Sequence, residues 1–180
     1  MEENDKYKLT FTGDNLIGRA LCRTEDGPKY KLTDETTNLL GRTLYRIEAL
    51  KDFGDVKEGD KGGFVESENN LAHEGDAWVS DDACVYDNAR VCGDALVRGY
   101  ACVCGDAEIS NKSDYIVFQN WWSSGRYFTW TRSNNMWSVG CFYGTGEELI
   151  KKAYKDSELS GREYERIVKY VEEIRKDNGK

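Results

Sequence analysis

The sequence predicts a mainly β protein. It reads as a stack of six-residue repeats, β-hairpins ahead of the stack, and an antiparallel sheet with two helices behind it. Three observations carry this prediction. Alanine stands at 77, 83, 89, 95, 101 and 107, each followed two positions later by Val79, Val85, Val91, Val97, Val103 or Ile109. A segment near the amino end occurs twice, and the chain turns aromatic after Ser113.

The doubled segment comes first. Lys6–Thr10 returns as Lys29–Thr33, Asn15–Arg19 returns as Asn38–Arg42, and Leu21 and Arg23 return as Leu44 and Arg46. Gly27-Pro28 separates the copies, and each reads as strand, polar Asp/Asn/Gly turn and strand. Residues 1–28 are therefore expected to be an extra hairpin copy, and residues 29–74 a second hairpin with a lead-in cap. The cap, IEALKDFGDVKEGDKGGFVE, alternates short apolar islands with Gly/Asp turns. The loop Asn69–Glu74 then breaks register and carries the only histidine, His73.

Residues 75–113 hold the repeat. A strict six-residue period is neither helical nor that of a simple strand; it belongs to a chain stacked on itself, with three repeats per turn. Ala and the aliphatic residues then point inward. Gly93, Gly99 and Gly105 mark corners, beside Asp76, Asp82, Asn88, Asp94 and Asp106. Asp and Asn at turns commonly accept from backbone N–H groups, a structural role preferred to a calcium ladder. Positions between the inward residues face out, so Trp78 stacks on Leu96 and Cys84 on Cys102. Such apolar ridges call for cover by another part of the chain or by a second subunit, and the four residues are the expected oligomer interface.

Residues 114–180 change character. Tyr115–Phe118, Arg126–Arg132 and Met136–Phe142 read as three strands, with Ser133–Asn135 as the hairpin turn between the last two. Thr145–Glu148 and Ser160–Glu163 are two capping boxes, each opening an amphipathic helix, and the final DNGK is expected to fray.

Composition narrows the function. The 33 acidic residues outnumber the 25 basic ones, giving a net charge of −8, which argues against generic nucleic-acid binding. No apolar run reaches the length of a membrane span and the start resembles no targeting peptide, so a cytoplasmic location is expected. The six cysteines show no C-x-x-C and have one histidine between them. They are read as free thiols of a reducing compartment, and no metal or cofactor is expected.

The repeat, with Val79/Ala83 and Val85/Ala89 as its aliphatic and small positions, resembles the left-handed parallel β-helix of hexapeptide acyltransferases. From about Lys29 onward the chain is similar to a family of phage and prophage accessory proteins. The carrying segments are YKLTDETTNLLGRTLYRIEALKDFGDVKEGDKGGFVESENNLAHEGDAWV, the GDA-x-V run, and the closing SDYIVFQN and WSVGCFYGTGEELIKK. Residues before Lys29 depart from that pattern. The resemblance implies a phage or prophage origin and a left-handed β-helix with caps; it transfers no catalytic residue.

Three functions follow as expectations. The first is a non-enzymatic counter-defence protein that sequesters a nucleotide-derived host signal in pockets of a homo-oligomer, a trimer by the superfamily resemblance, in the cytoplasm of an infected bacterium. Its ligand-binding candidates are Trp121, Trp122, Arg126, Trp130, Arg132 and Trp137, because rings stack on bases and guanidinium groups grip phosphates. Alternation puts Arg126, Phe128, Trp130 and Arg132 on one face, which brings the arginines beside Trp130. The second is inhibition of a host defence protein by direct contact or by nucleic-acid mimicry. The third is an acyltransferase with His73 as its base, a role disfavoured by the shortness of the repeat.

Overall fold

The computed structural model describes residues 27–177. The first hairpin copy with Arg19 and Cys22, and Asn178–Lys180 of the expected frayed tail, lie outside the described residues. The architecture is mainly β with two helices. In chain order it runs β1 (Tyr30–Leu39), β2 (Arg42–Ala49), β3 (Lys61–Val65), and six two-residue strands. These are β4 (Trp78–Val79), β5 (Cys84–Val85), β6 (Arg90–Val91), β7 (Leu96–Val97), β8 (Cys102–Val103) and β9 (Glu108–Ile109). Then follow β10 (Tyr115–Gln119), β11 (Tyr127–Thr131), β12 (Met136–Val139), β13 (Phe142–Gly144), α1 (Gly146–Asp156) and α2 (Glu158–Asp177).

The second hairpin is present, but its turn is not the polar run. Leu40 and Gly41, at φ 55° and 82°, make the two-residue turn. Asp34 and Glu35 stay inside β1, where a register shift between Leu32 and Thr36 absorbs them.

In the repeat, each of β4, β5 and β6 pairs in parallel with the strand 18 residues later: Trp78 with Leu96, Cys84 with Cys102, Arg90 with Glu108. The three-repeat turn read from the period is thus the pairing interval. Every repeat Ala, Val and Ile is buried in one core. At the corners Gly75, Asp81, Asp87, Gly93, Gly99 and Gly105 all take φ between 56° and 70°. Where aspartate occupies this left-handed position, its carboxylate accepts from the glycine one turn on: Gly99 N–H to Asp81 at 2.9 Å and Gly105 N–H to Asp87 at 3.3 Å.

Both ends of the stack are closed by side chains. At the first turn the outward backbone carbonyls need donors. The Lys29 ammonium donates to Gly75 O (3.2 Å) and Ala77 O (2.7 Å), and Asn70 Nδ2 donates to Asp87 O (3.1 Å) and Ala89 O (2.8 Å). Arg46 reaches Asp81 O at 3.2 Å, while β3 supplies Phe64 N–H to Ala83 O. At the last turn the outward groups are N–H donors. Tyr115 Oη accepts from Arg98 N, Thr129 Oγ1 from Cys102 N, Ser133 Oγ from Glu108 N, and Asp114 Oδ2 from Ser110 N.

Behind the stack, β10–β13 form an antiparallel sheet. The expected third strand stops at Val139 because Gly140, at φ 58°, reverses the chain into β13. On one face Phe128, Trp130, Trp137 and Val139 pack under Leu149, Ala153, Tyr164, Val168 and Val171 of the helices. On the other face, buried Thr129, Thr131 and Ser138 alternate with them, and Thr129 meets the stack. The Thr145–Glu148 capping box opens α1. The second box does not form: Ser160 lies inside α2, which begins at Glu158, and Ser157 Oγ accepts from Ser160 N–H at 3.1 Å. A cap one turn earlier costs the chain only one linking residue between the helices.

Candidate functional site

The loop between β10 and β11, the β12–β13 turn and the two helices surround a cleft of about 340 Å³. Val139, Phe142, Leu149 and Ala153 give it an apolar floor. Arg126 and Lys152 bring positive charge, Asp156 a carboxylate, and Ser123, Ser124, Ser160 and Tyr164 bring hydroxyls.

Local structure explains each placement. Arg126 immediately precedes β11 and lies against the β12–β13 turn. A Cβ on Gly140 would sit 2.7 Å from an Arg126 guanidinium nitrogen, so the bare glycine makes room for the arginine. Lys152 and Asp156 are one helical turn apart on α1, and Ser160 and Tyr164 one turn apart on α2. Asn120 is buried and ties the rim together. Its Oδ1 accepts from Ser123 N–H at 3.0 Å and its Nδ2 donates to the Tyr164 hydroxyl at 3.3 Å. Accepting from Asn120 leaves the Tyr164 O–H proton available for another acceptor. Burial chiefly raises the Tyr164 pKa, with nearby Arg126 pulling the other way, so the hydroxyl stays a donor at neutral pH. Neither Arg126 nor Lys152 has an ion-pair partner among the described residues.

Of the six ligand-binding candidates from sequence, Arg126 alone lines this cleft. Trp130 and Trp137 are corrected to core residues, each 2 % exposed under the helices. The face that Trp130 shares with Phe128 is where the helices sit, and their packing uses up the rings. Trp130 donates its indole N–H to Asn135 Oδ1 at 3.0 Å, and the cation over its ring is Arg175, not Arg126 or Arg132. Arg132 emerges half-buried at the far end of β11, away from the cleft. Trp122 is half-buried with its ring edge on Tyr164 at 5.0 Å, and its buried indole nitrogen has no hydrogen-bond partner among the described residues. Trp121 is 77 % exposed.

The expected oligomer interface is corrected in part. Trp78 is buried within its own chain, edge-on to Tyr30 and Phe53, and Cys84 is buried with Leu44, Phe64, Tyr86 and Cys104. The hairpin and its cap supply the cover that the apolar ridge required. Leu96 and Cys102 remain half-buried, Leu96 beside Tyr115. The third side, carrying Arg90 and Glu108, stays open.

His73 is engaged in the same cover. Its Nδ1 accepts from Lys29 N–H at 3.2 Å, its ring stacks on Tyr30 at 4.4 Å, and burial lowers its pKa. That arrangement serves the opening cap and leaves Nδ1 unavailable as a base.

Sequence reasoning missed Lys152, Asp156, Ser160 and the Asn120 tie. The helical spacing of Lys152 with Asp156 and of Ser160 with Tyr164 was readable; that both pairs would face the start of β11 was not. No family model and no curated protein matches the chain.

Proposed function

We propose that this is a non-enzymatic binding protein of phage type that sequesters a nucleotide-derived host immune signal, with the cleft between the β10–β11 loop and the helices as its binding site. The observation that carries the reading is two cations, Arg126 and Lys152, with no ion-pair partner among the described residues, over an apolar floor in a chain of net charge −8. Two exposed cations beside a concave apolar surface suit an anionic ligand with a ring: the charge meets phosphate and the floor meets the base. Asp156 and the hydroxyls of Ser123, Ser124, Ser160 and Tyr164 suit a sugar bearing hydroxyl groups.

The framework proposed for this site is a left-handed parallel β-helix, supported by the hexapeptide period and the 18-residue parallel pairing. Assembly as a homotrimer belongs to the same proposal, now through the open side carrying Arg90 and Glu108. The proposed setting is the bacterial cytoplasm during infection; among the described residues no helix is long and apolar enough to cross a membrane.

Thermal-shift and calorimetric screening against adenosine monophosphate, ADP-ribose and cyclic dinucleotides tests the reading. At least one of these should raise the melting temperature of the wild type, with the shift lost in Arg126→Ala and Lys152→Ala. A screen with no shift, or a shift retained in both variants, would overturn it.

The second reading, contact with a host defence protein, is favoured by Trp121. An indole 77 % exposed on a rim loop is a ready anchor for a protein partner. Loss of a co-purifying defence protein on Trp121→Ala, with Arg126→Ala silent, would favour that reading over the first.

A further inference from the structure

Cys84 and Cys102 are direct register partners in the β5–β8 ladder, and each thiol donates to the carbonyl two residues before it, Cys84 to Asp82 O at 3.5 Å and Cys102 to Tyr100 O at 4.0 Å. Parallel neighbours stand about 4.8 Å apart, inside the range of about 4.4–6.8 Å between Cα atoms that a disulfide spans. The other described cysteines are placed differently. Cys92 lies on another side of the stack with its thiol toward Glu108, Cys104 packs with Tyr86, and Cys141 is exposed on the β12–β13 turn. We infer that Cys84 and Cys102 are a dithiol site that closes into an intrachain disulfide across successive turns when it meets a small disulfide such as oxidised glutathione.

The two thiols have unequal roles. Cys84 is buried among Leu44, Phe64 and Tyr86, whereas Cys102 is half-buried and the more accessible of the two. Proximity of the two thiols lowers the Cys102 pKa from the ordinary thiol value and, together with burial, raises that of Cys84. Cys102 thiolate therefore attacks one sulfur of oxidised glutathione, forming a mixed disulfide and releasing one glutathione thiolate. Cys84, its proton passed to solvent, then attacks the Cys102 sulfur. The second glutathione leaves and the Cys84–Cys102 bond remains. Two protein thiols are oxidised and one glutathione disulfide is reduced to two thiols. The bond would fasten β8, the last rung of its sheet, to β5. Because β8 also carries the Thr129 contact to the aromatic sheet, the redox state of the pair bears on how the two halves of the chain are held.

The full chain, equilibrated in glutathione buffers of graded poise, quenched with an alkylating agent and mapped by peptide mass spectrometry, tests this. The expected product is a Cys84–Cys102 cross-link that reverts with dithiothreitol and persists in Cys141→Ser. In Cys84→Ser, Cys102 should instead accumulate as its glutathione adduct while retaining the wild-type far-ultraviolet circular dichroism. A wild type in which Cys102 stops at the adduct with Cys84 free, or in which both thiols stay reduced while Cys141 reacts, would overturn the inference. So would a cross-link seen only after denaturation.

Discussion

The two ends of the repeat stack pose the same problem with opposite polarity. Stacked turns pass N–H groups of one turn to carbonyls of the next, as in Trp78 N–H to Ala95 O and Cys84 N–H to Ala101 O. The first turn is thus left with free carbonyls and the last with free N–H groups. The opening end is closed by donors, Lys29, Asn70 and Arg46; the closing end by acceptors, Tyr115, Thr129, Ser133 and Asp114. The closures differ in depth. Lys29 and Asn70 are both buried at the opening end, whereas the closing end mixes buried Thr129 with exposed Ser133. A buried polar group left without a partner loses far more than one that water can reach, so the same chemistry carries unequal weight at the two ends. Closed ends also deny neighbouring chains an unpaired strand edge to extend.

The largest effect is expected at Asn70. Asn70→Leu strips hydrogen bonds from two carbonyls and from Ser67 N–H, and should cost about 3 kcal/mol of unfolding free energy in urea titrations. Lys29→Met comes next, at about 2 kcal/mol, and it separates the ends by pH. Burial lowers the Lys29 pKa from 10.5 to about 8. Between those values the unfolded chain binds more protons than the folded one, so the lysine's contribution to stability rises with pH through that window. The gap between wild type and Lys29→Met should therefore widen from pH 8 to pH 10, as paired melting curves would read. A gap that narrows contradicts a buried ammonium.

At the closing end the expected losses are smaller. Thr129→Val keeps the shape and orphans only Cys102 N–H, costing about 1 kcal/mol. Ser133→Ala exposes Glu108 N–H to water and should stay within about 0.5 kcal/mol. If Ser133→Ala proved as costly as Asn70→Leu, depth of burial would not be what distinguishes the ends.

The repeat was legible in the sequence because its information is local: one side-chain size recurs at one interval, and the interior accepts little else. The opposite holds for the aromatic sheet. Alternation assigned Trp130 and Arg126 to a common face, but nothing local told that α1 and α2 would cover the middle of that face and leave only its Arg126 end open. Ser160 misled for a related reason. A Ser-x-x-Glu box recurs by chance, and Ser157, one turn earlier, answers the same need. Lys29 and Asn70 read as ordinary polar residues, since their partners are carbonyls far along the chain, which carry no side-chain signature.

Residue-resolved amide hydrogen exchange tests the central claim, that borrowed side chains complete the hydrogen bonding of the stack. In wild type, Cys102 N–H should be protected alongside Cys84 N–H and Arg90 N–H, whose partners are the carbonyls of the next turn. Thr129→Val should release Cys102 alone. Fast exchange at Cys102 in the wild type, or protection unchanged by the substitution, would contradict the account.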